Sequence, residues 1–147
     1  MLTFAHKSKA NIMKLTEKVR NYPISILEIT IIWIICMIPI PESPLSHVSF
    51  IDKWTHFAMY GTLTLIIWWE YTGKHKKSKG FRWNRLLFGG MVCPIIMGIL
   101  IEFAQAYITP LYMMPGRSGD PFDALCNTLG CILGCAIGTL LVKFRAS

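Results

Sequence analysis

Apolar residues fall into four long runs along the chain, and short polar segments separate them. The runs extend over residues 24–40, 54–71, 86–108 and 124–142. A helix rises about 1.5 Å per residue and the hydrocarbon core of a bilayer is about 30 Å thick, so about 20 apolar residues cross it. The pattern therefore predicts an all-α membrane protein with four transmembrane helices in a compact bundle.

The composition supports this prediction. Of the 147 residues, 53% are hydrophobic and 16% are charged, which excludes a disordered chain. A soluble domain of this length would have to bury all four runs in one small core. The first run could instead be a signal-peptide core, but the proline-rich segment after Ile40 contains no small-residue cleavage site, and we expect this run to be retained.

The basic residues predict an orientation in the membrane. All of the 15 lysines and arginines except Lys53 and Arg117 precede the first run, lie between the second and third runs, or follow the fourth. Lysine and arginine concentrate in cytoplasmic loops. We therefore expect a multi-pass protein of the cell membrane with both termini in the cytoplasm, and with segments 41–53 and 109–123 facing outward.

The chain divides into a basic segment, residues 1–22, which is cytoplasmic or lies on the membrane surface, and a four-helix domain, residues 23–147. The formal charge of +7 could also indicate nucleic-acid binding. The cations, however, lie in short stretches beside the membrane rather than on one folded surface, so we expect no nucleic-acid partner. The five cysteines lie in or at the edge of the spans and indicate no disulfide framework.

Polar side chains converge on the outward half of the predicted bundle. Asp52, His56 and Tyr60 follow one another at intervals of four on one helical stripe. An ionisable group in lipid is costly, and a set of them at one end predicts a functional polar pocket. The alternative is a structural network of hydrogen bonds and ion pairs. The side chains that the topology brings to this end are Asp52, His56, Tyr60, Glu102, Gln105, Arg117, Asp120, Asp123 and Asn127.

Two features of the last two runs concern packing. Gly130, Gly134 and Gly138 repeat every four residues, which lets another helix approach closely and suggests a helix-packing partner at this stripe. Pro94 removes a backbone hydrogen bond in the third run, so we expect a bend that opens space beside Glu102.

Four short motifs resemble those of the VanZ-like membrane proteins in order and spacing. They are Asp52–Gly61, Glu102–Gln105, Pro115–Arg117 and Asp123–Gly130, and the resemblance covers about residues 24–142. It implies a bacterial membrane protein of a family whose namesake is associated with low-level resistance to the glycopeptide teicoplanin. The family has no firm mechanism. The loop after Arg117 departs from the common pattern, which leaves open which acid has which role.

We expect the pocket to recognise or act on a membrane lipid or a lipid-linked envelope precursor of peptidoglycan. His56 suits a general acid or base, with Glu102, Asp52 or Asp123 as its catalytic partners. Asp123 can also cap the last helix. The residues expected to bind substrate are Tyr60, Gln105, Arg117, Asp120 and Asn127. Whether the pocket catalyses a reaction or only recognises a ligand is left open.

The same residues allow three alternatives. A divalent metal could bind between His56 and some of Glu102, Asp120 and Asp123, but no pair has a diagnostic ligand spacing, so no metal and no cofactor is expected. A non-catalytic accessory protein would use the glycine repeat to pack against a partner. A proton-coupled carrier would use Glu102 and His56 as relay groups, but the chain lacks the duplicated halves that are common in carriers.

Overall fold

The structure is a computed structural model that describes residues 13, 16, 17, 19–38, 50–75, 81–108 and 119–144. Every regular element in these residues is helical, which confirms the all-α prediction. The greater part of segment 1–22 lies outside the described residues, as does Arg117. The elements are α1 Pro23–Met37, α2 Ile51–His75, α3 Trp83–Leu87, a π-helical turn Phe88–Val92, α4 Cys93–Tyr107 and α5 Pro121–Phe144.

Two of the described helices are long and apolar enough to cross a membrane. One is the continuous helix Trp83–Tyr107, which comprises α3, the π-helical turn and α4, and the other is α5. Helix α1 is apolar but has only 15 residues. Helix α2 has 25 residues, and polar side chains are distributed along it. Length and composition alone therefore support two spans.

Helices α2 and α5 lie side by side and run in the same direction. The glycine stripe of α5, which is Gly130, Gly134 and Gly138, faces α2 along its length. A Cβ atom at Gly134 would lie 2.6 Å from the backbone oxygen of Gly61, and one at Gly138 would lie 2.8 Å from the ring of Trp68. The helix that approaches this stripe is therefore α2 of the same chain.

Helices α1 and α4 run in the opposite direction. Gln105 near the end of α4 donates a 2.7 Å hydrogen bond from Nε2 to the backbone oxygen of Cys36 near the end of α1. Gly98 of α4 lies against Tyr60 and Asn127. The C-terminal ends of α1 and α4 thus meet the N-terminal ends of α2 and α5.

The irregularity expected at Pro94 is a change of helical register. The π-helical turn Phe88–Val92 ends just before α4, whose second residue is Pro94. Proline cannot donate to the carbonyl four residues earlier, and a wider turn accommodates the lost bond. Gly90 in this turn lies against the indole of Trp68, where a Cβ atom would be 2.9 Å from the ring.

The other end of the bundle contains a buried carboxylate with a full set of donors. Glu70 is 6% exposed, and its Oε1 accepts a 3.0 Å hydrogen bond from the backbone N–H of Ile24. Its Oε2 accepts from the backbone N–H of Ser25 at 3.1 Å and from the Ser25 hydroxyl at 2.5 Å. Because the first N–H groups of a helix have no partner inside it, Glu70 caps α1 from a neighbouring helix.

Candidate functional site: a polar cluster at one end of the bundle

A polar cluster lies where α2 and α5 begin and α4 approaches its end. Asp52, Lys53 and His56 are on the first two turns of α2. Asp120 precedes α5, and Asp123 is in its first turn. The structure thus brings Asp52, His56, Asp120 and Asp123 of the predicted set together, and Lys53, which was not predicted, lies among them. The members of the polar cluster are Asp52, Lys53, His56, Glu102, Asp120, Asp123 and Asn127.

Lys53 connects three carboxylates of the cluster. Its Nζ lies 2.5 Å from Asp120 Oδ2, 2.6 Å from Asp123 Oδ1 and 3.8 Å from Asp52 Oδ2. The hydrogen bond from Lys53 holds the pKa of Asp120 below its usual value, and the backbone N–H of Phe122 acts in the same direction. This one ammonium group therefore joins the start of α2 to the start of α5.

His56 is the buried centre of the cluster, with 2% of its surface exposed. Its Nδ1 lies 3.0 Å from Asn127 Oδ1 and 3.8 Å from Glu102 Oε1. Its Nε2 faces the other way and lies 3.9 Å from both Asp52 Oδ1 and Asp123 Oδ2. The ring therefore stands between an amide and a carboxylate on one side and two carboxylates on the other.

Asp120 caps α5, which corrects the capping role considered for Asp123. Asp120 Oδ1 accepts a 2.9 Å hydrogen bond from the backbone N–H of Phe122. The backbone oxygen of Asp120 accepts from the N–H of Asp123, also at 2.9 Å. Because the helix begins at Pro121, the residue before it occupies the capping position. Asp123 is instead inside the first turn, 4% exposed and directed at Lys53 and His56.

Glu102 connects α4 to the loop before α5. Its Oε2 accepts a 3.1 Å hydrogen bond from the backbone N–H of Asp120. Its Oε1 is buried and has no hydrogen-bond partner within the described part of the chain, although it faces Nδ1 of His56. A buried carboxylate oxygen without a donor is unusual, because desolvation of a charged acceptor is costly.

The remaining predicted site residues differ in their surroundings. Tyr60 is fully buried one turn below His56, and its hydroxyl lacks a hydrogen-bond partner among the described residues. Gln105 is 2% exposed and joins α4 to α1 through its bond to the backbone oxygen of Cys36. Arg117, expected to hold an anionic group, lies outside the described residues.

Sequence reasoning missed the roles of Lys53 and Glu70. In the sequence, Lys53 is one of two cations predicted on the outward side, and its position next to Asp52 at the end of a predicted span is a signal for an ion pair. Glu70 gave a signal as an acid inside an apolar run. The residue that it caps, Ser25, is 45 positions away, and no local pattern predicts that pairing.

Three side chains of the cluster have the chemistry and the spacing of metal ligands. One ligand atom each from Asp52, His56 and Asp123 lie within 4.8 Å of one another. Nitrogen together with carboxylate oxygen suits zinc or manganese. The sequence showed no diagnostic spacing because the third group comes from a different helix.

These features define a helical protein with apolar helices of membrane-spanning length and a buried polar cluster at one end. The chain belongs to the VanZ/LLP1 family, whose match covers residues 2–142. It is 28% identical over 120 residues to a protein of the fission yeast Schizosaccharomyces pombe that is described only as uncharacterized. That alignment covers 82% of this chain and 66% of the yeast protein, so the chain spans just under two thirds of its relative. No solved structure matches the chain.

Proposed function

We propose that this chain is a four-span membrane protein with cytoplasmic termini, and that its polar cluster recognises the head group of a membrane lipid from the outward face. The orientation rests on the basic residues, which are concentrated before α1, around the link between α2 and α3, and at the end of α5. The polar cluster lies at the opposite end of the helices. Lys53 is the basic residue at that end within the described part of the chain.

The case for α1 and α2 as further spans rests on which side chains they bury. Several polar side chains of α2, including His56, Thr64 and Glu70, are buried against the other helices, and Trp54 and Trp69 are exposed. Part of its polar composition therefore forms an inner face, although Asp52, Thr55 and Thr62 are exposed. Helix α1 exposes a series of large aliphatic side chains, namely Ile24, Leu27, Ile31, Ile34 and Ile35. Apolar surface around a bundle suits a lipid environment.

The observation that carries the proposal is the burial of ionisable groups where burial is most costly. His56 and Glu102 are 2% and 7% exposed. Glu102 lies in the apolar helix Trp83–Tyr107, and His56 lies in the second turn of α2. Intramembrane ionisable groups generally mark substrate or ion pathways. In the described cluster the carboxylates outnumber the single ammonium group of Lys53. The ligand that fits best therefore supplies hydrogen-bond donors or positive charge, alone or together with a phosphate.

A membrane lipid fits better than a peptidoglycan precursor as the source of this head group. The chain resembles a fission yeast protein, and fungi make no peptidoglycan. A lipid head group is chemistry that bacteria and fungi share. Reduced susceptibility to teicoplanin would then be a secondary effect of an altered membrane. A reaction on the head group, with His56 as acid or base, is the second candidate, and the 3.8 Å approach of Glu102 to His56 favours it.

The test is native mass spectrometry of the protein released from nanodiscs made with lipids of its host. We expect one lipid class to stay bound to the wild-type protein in excess of its share of the bilayer. His56→Ala and Glu102→Gln should lose this enrichment, because both substitutions change the centre of the cluster.

The matched control is Glu28→Gln, which makes the same chemical change in α1, away from the polar cluster. It should retain the lipid. Equal lipid retention by all four proteins, or no enrichment in the wild type, would show that the cluster is not a head-group site.

A further inference from the structure

The surroundings of His56 determine which ring nitrogen carries the proton. Nδ1 lies 3.0 Å from Asn127 Oδ1, with Glu102 Oε1 nearby at 3.8 Å. Amide and carboxylate oxygens only accept hydrogen bonds, so Nδ1 is the nitrogen that donates. A neutral imidazole then presents an unprotonated Nε2. The lone pair of His56 is therefore directed to the side of the ring where Asp52 and Asp123 lie.

The atoms that face Nε2 are all acceptors and stand apart from one another. Asp52 Oδ1 and Asp123 Oδ2 are each 3.9 Å from it. A hydrogen bond would need about 3.2 Å or less, so the three atoms do not bond directly to one another. In tetrahedral zinc coordination two ligand atoms, each about 2.0–2.2 Å from the metal, stand about 3.4 Å apart. The two 3.9 Å separations exceed that spacing by about 0.5 Å, so small side-chain movements would bring these atoms onto one ion.

Lys53 contacts one oxygen of each aspartate, and it is not the oxygen that lies closest to His56. It takes Asp123 Oδ1 at 2.6 Å and approaches Asp52 Oδ2 at 3.8 Å. The opposite oxygen of each carboxylate faces His56. Each carboxylate is thus shared, with one oxygen directed to the lysine and the other to the imidazole nitrogen.

Glu102 faces His56 from the side opposite Asp52 and Asp123. It is 7% exposed, and its Oε1 has no hydrogen-bond partner within the described part of the chain while it faces Nδ1 of His56. Metal-bound histidines commonly have a carboxylate or carbonyl oxygen at their second nitrogen, which orients the ring and raises its basicity. Glu102 and Asn127 stand in that position, and a cation beyond Nε2 would offset the excess of carboxylates.

We propose that Asp52, His56 and Asp123 bind one divalent transition-metal ion, with zinc or manganese as the expected ion. His56 contributes Nε2, and each aspartate contributes the oxygen that faces it. Glu102 and Asn127 are positioning residues for His56. Three protein ligands leave room for a further ligand on such an ion, as in catalytic zinc sites. The metal site stands on these contacts alone and does not depend on the proposed lipid ligand.

The experiment is metal titration of the full chain in detergent after removal of metal with a chelator. Isothermal calorimetry with Zn²⁺ and with Mn²⁺, together with elemental analysis, should give one ion per chain for at least one metal. His56→Ala and Asp123→Asn should weaken binding at least tenfold, and Glu102→Gln about tenfold through the orientation of His56. His75→Ala, at the other end of α2, is the matched control and should bind as the wild type does.

Thermal unfolding with and without metal separates loss of binding from loss of fold. Added metal should raise the midpoint of the wild type and of His75→Ala but not that of His56→Ala. Failure of the wild type to bind either ion stoichiometrically, or unchanged affinity in His56→Ala, would overturn the metal site. A wild type that binds lipid but no metal would overturn this inference and leave the proposed function intact.

Discussion

Helix α2 carries a buried ionisable group near each end, and the two have different surroundings. Glu70 accepts three hydrogen bonds, all from the first turn of α1. At the other end His56 and Glu102 are equally buried, yet Glu102 Oε1 has no donor in the described residues, and His56 Nε2 faces two carboxylates. Burial alone does not distinguish a structural acid from a functional one. The supply of donors does: it gives Glu70 a structural role and is consistent with the binding role proposed for the polar cluster.

The largest stability effect should come from Glu70→Gln. In the wild type the N–H groups of Ile24 and Ser25 and the Ser25 hydroxyl donate to two carboxylate oxygens. A glutamine offers these donors only one oxygen, and its NH₂ group would face one of the backbone N–H groups. Lost charge-assisted bonds and buried unpaired donors should lower the free energy of unfolding by about 3 kcal/mol. Glu102→Gln, the same change in the polar cluster, should cost about 1 kcal/mol or less because one oxygen already lacks a donor. Chemical unfolding in detergent compares the two variants. A larger loss of unfolding free energy in Glu102→Gln than in Glu70→Gln would show that Glu102, and not Glu70, has the larger structural role.

A smaller effect is expected where the backbones of α2 and α5 meet. The added Cβ of Gly134→Ala would lie 2.6 Å from a backbone oxygen that cannot move independently. Overpacking of this kind should lower the free energy of unfolding by about 2 kcal/mol. Gly73→Ala is the control, because a Cβ atom there meets nothing within 4 Å. The thermal midpoint should fall in the first variant and stay level or rise in the second; equal midpoints would mean that the helices separate easily.

The smallest stability effect should be that of Asp52→Asn. The side chain of Asp52 is 52% exposed, and its contact with Lys53 is 3.8 Å, so the free energy of unfolding should change by no more than about 0.5 kcal/mol. The same substitution removes a proposed metal ligand and should weaken metal binding by about tenfold or more. Chemical unfolding measures the effect on stability, and calorimetry measures the effect on metal affinity. We expect an unchanged unfolding curve together with weaker metal binding. If Asp52→Asn lost stability but kept its metal affinity, Asp52 would have a structural role like that of Glu70 and would not be a metal ligand.

Local sequence predicted the helices well because hydrophobic runs are local. The predicted run 124–142 lies within α5, Pro121–Phe144, and the run 54–71 lies within α2. The gathering of His56, Glu102 and Asp123 at one end followed from alternating helix direction. The sequence could not show how each helix is rotated about its axis. That rotation decides that Gln105 meets Cys36 and that Glu70 meets Ser25.

The close contact of the glycine stripe with α2 has a consequence for natural variation. Gly130 lies against the backbone of Phe57, the residue directly after His56, and it follows Asn127 by less than one turn. The spacing between the acids of α5 and the imidazole of α2 is therefore set by how nearly two main chains touch. Gly130→Ala would push α5 away from α2 and so shift Asp123 relative to Asp52 and His56. Sequence changes at this stripe should consequently alter ligand affinity as well as stability, even though no donor or acceptor is replaced.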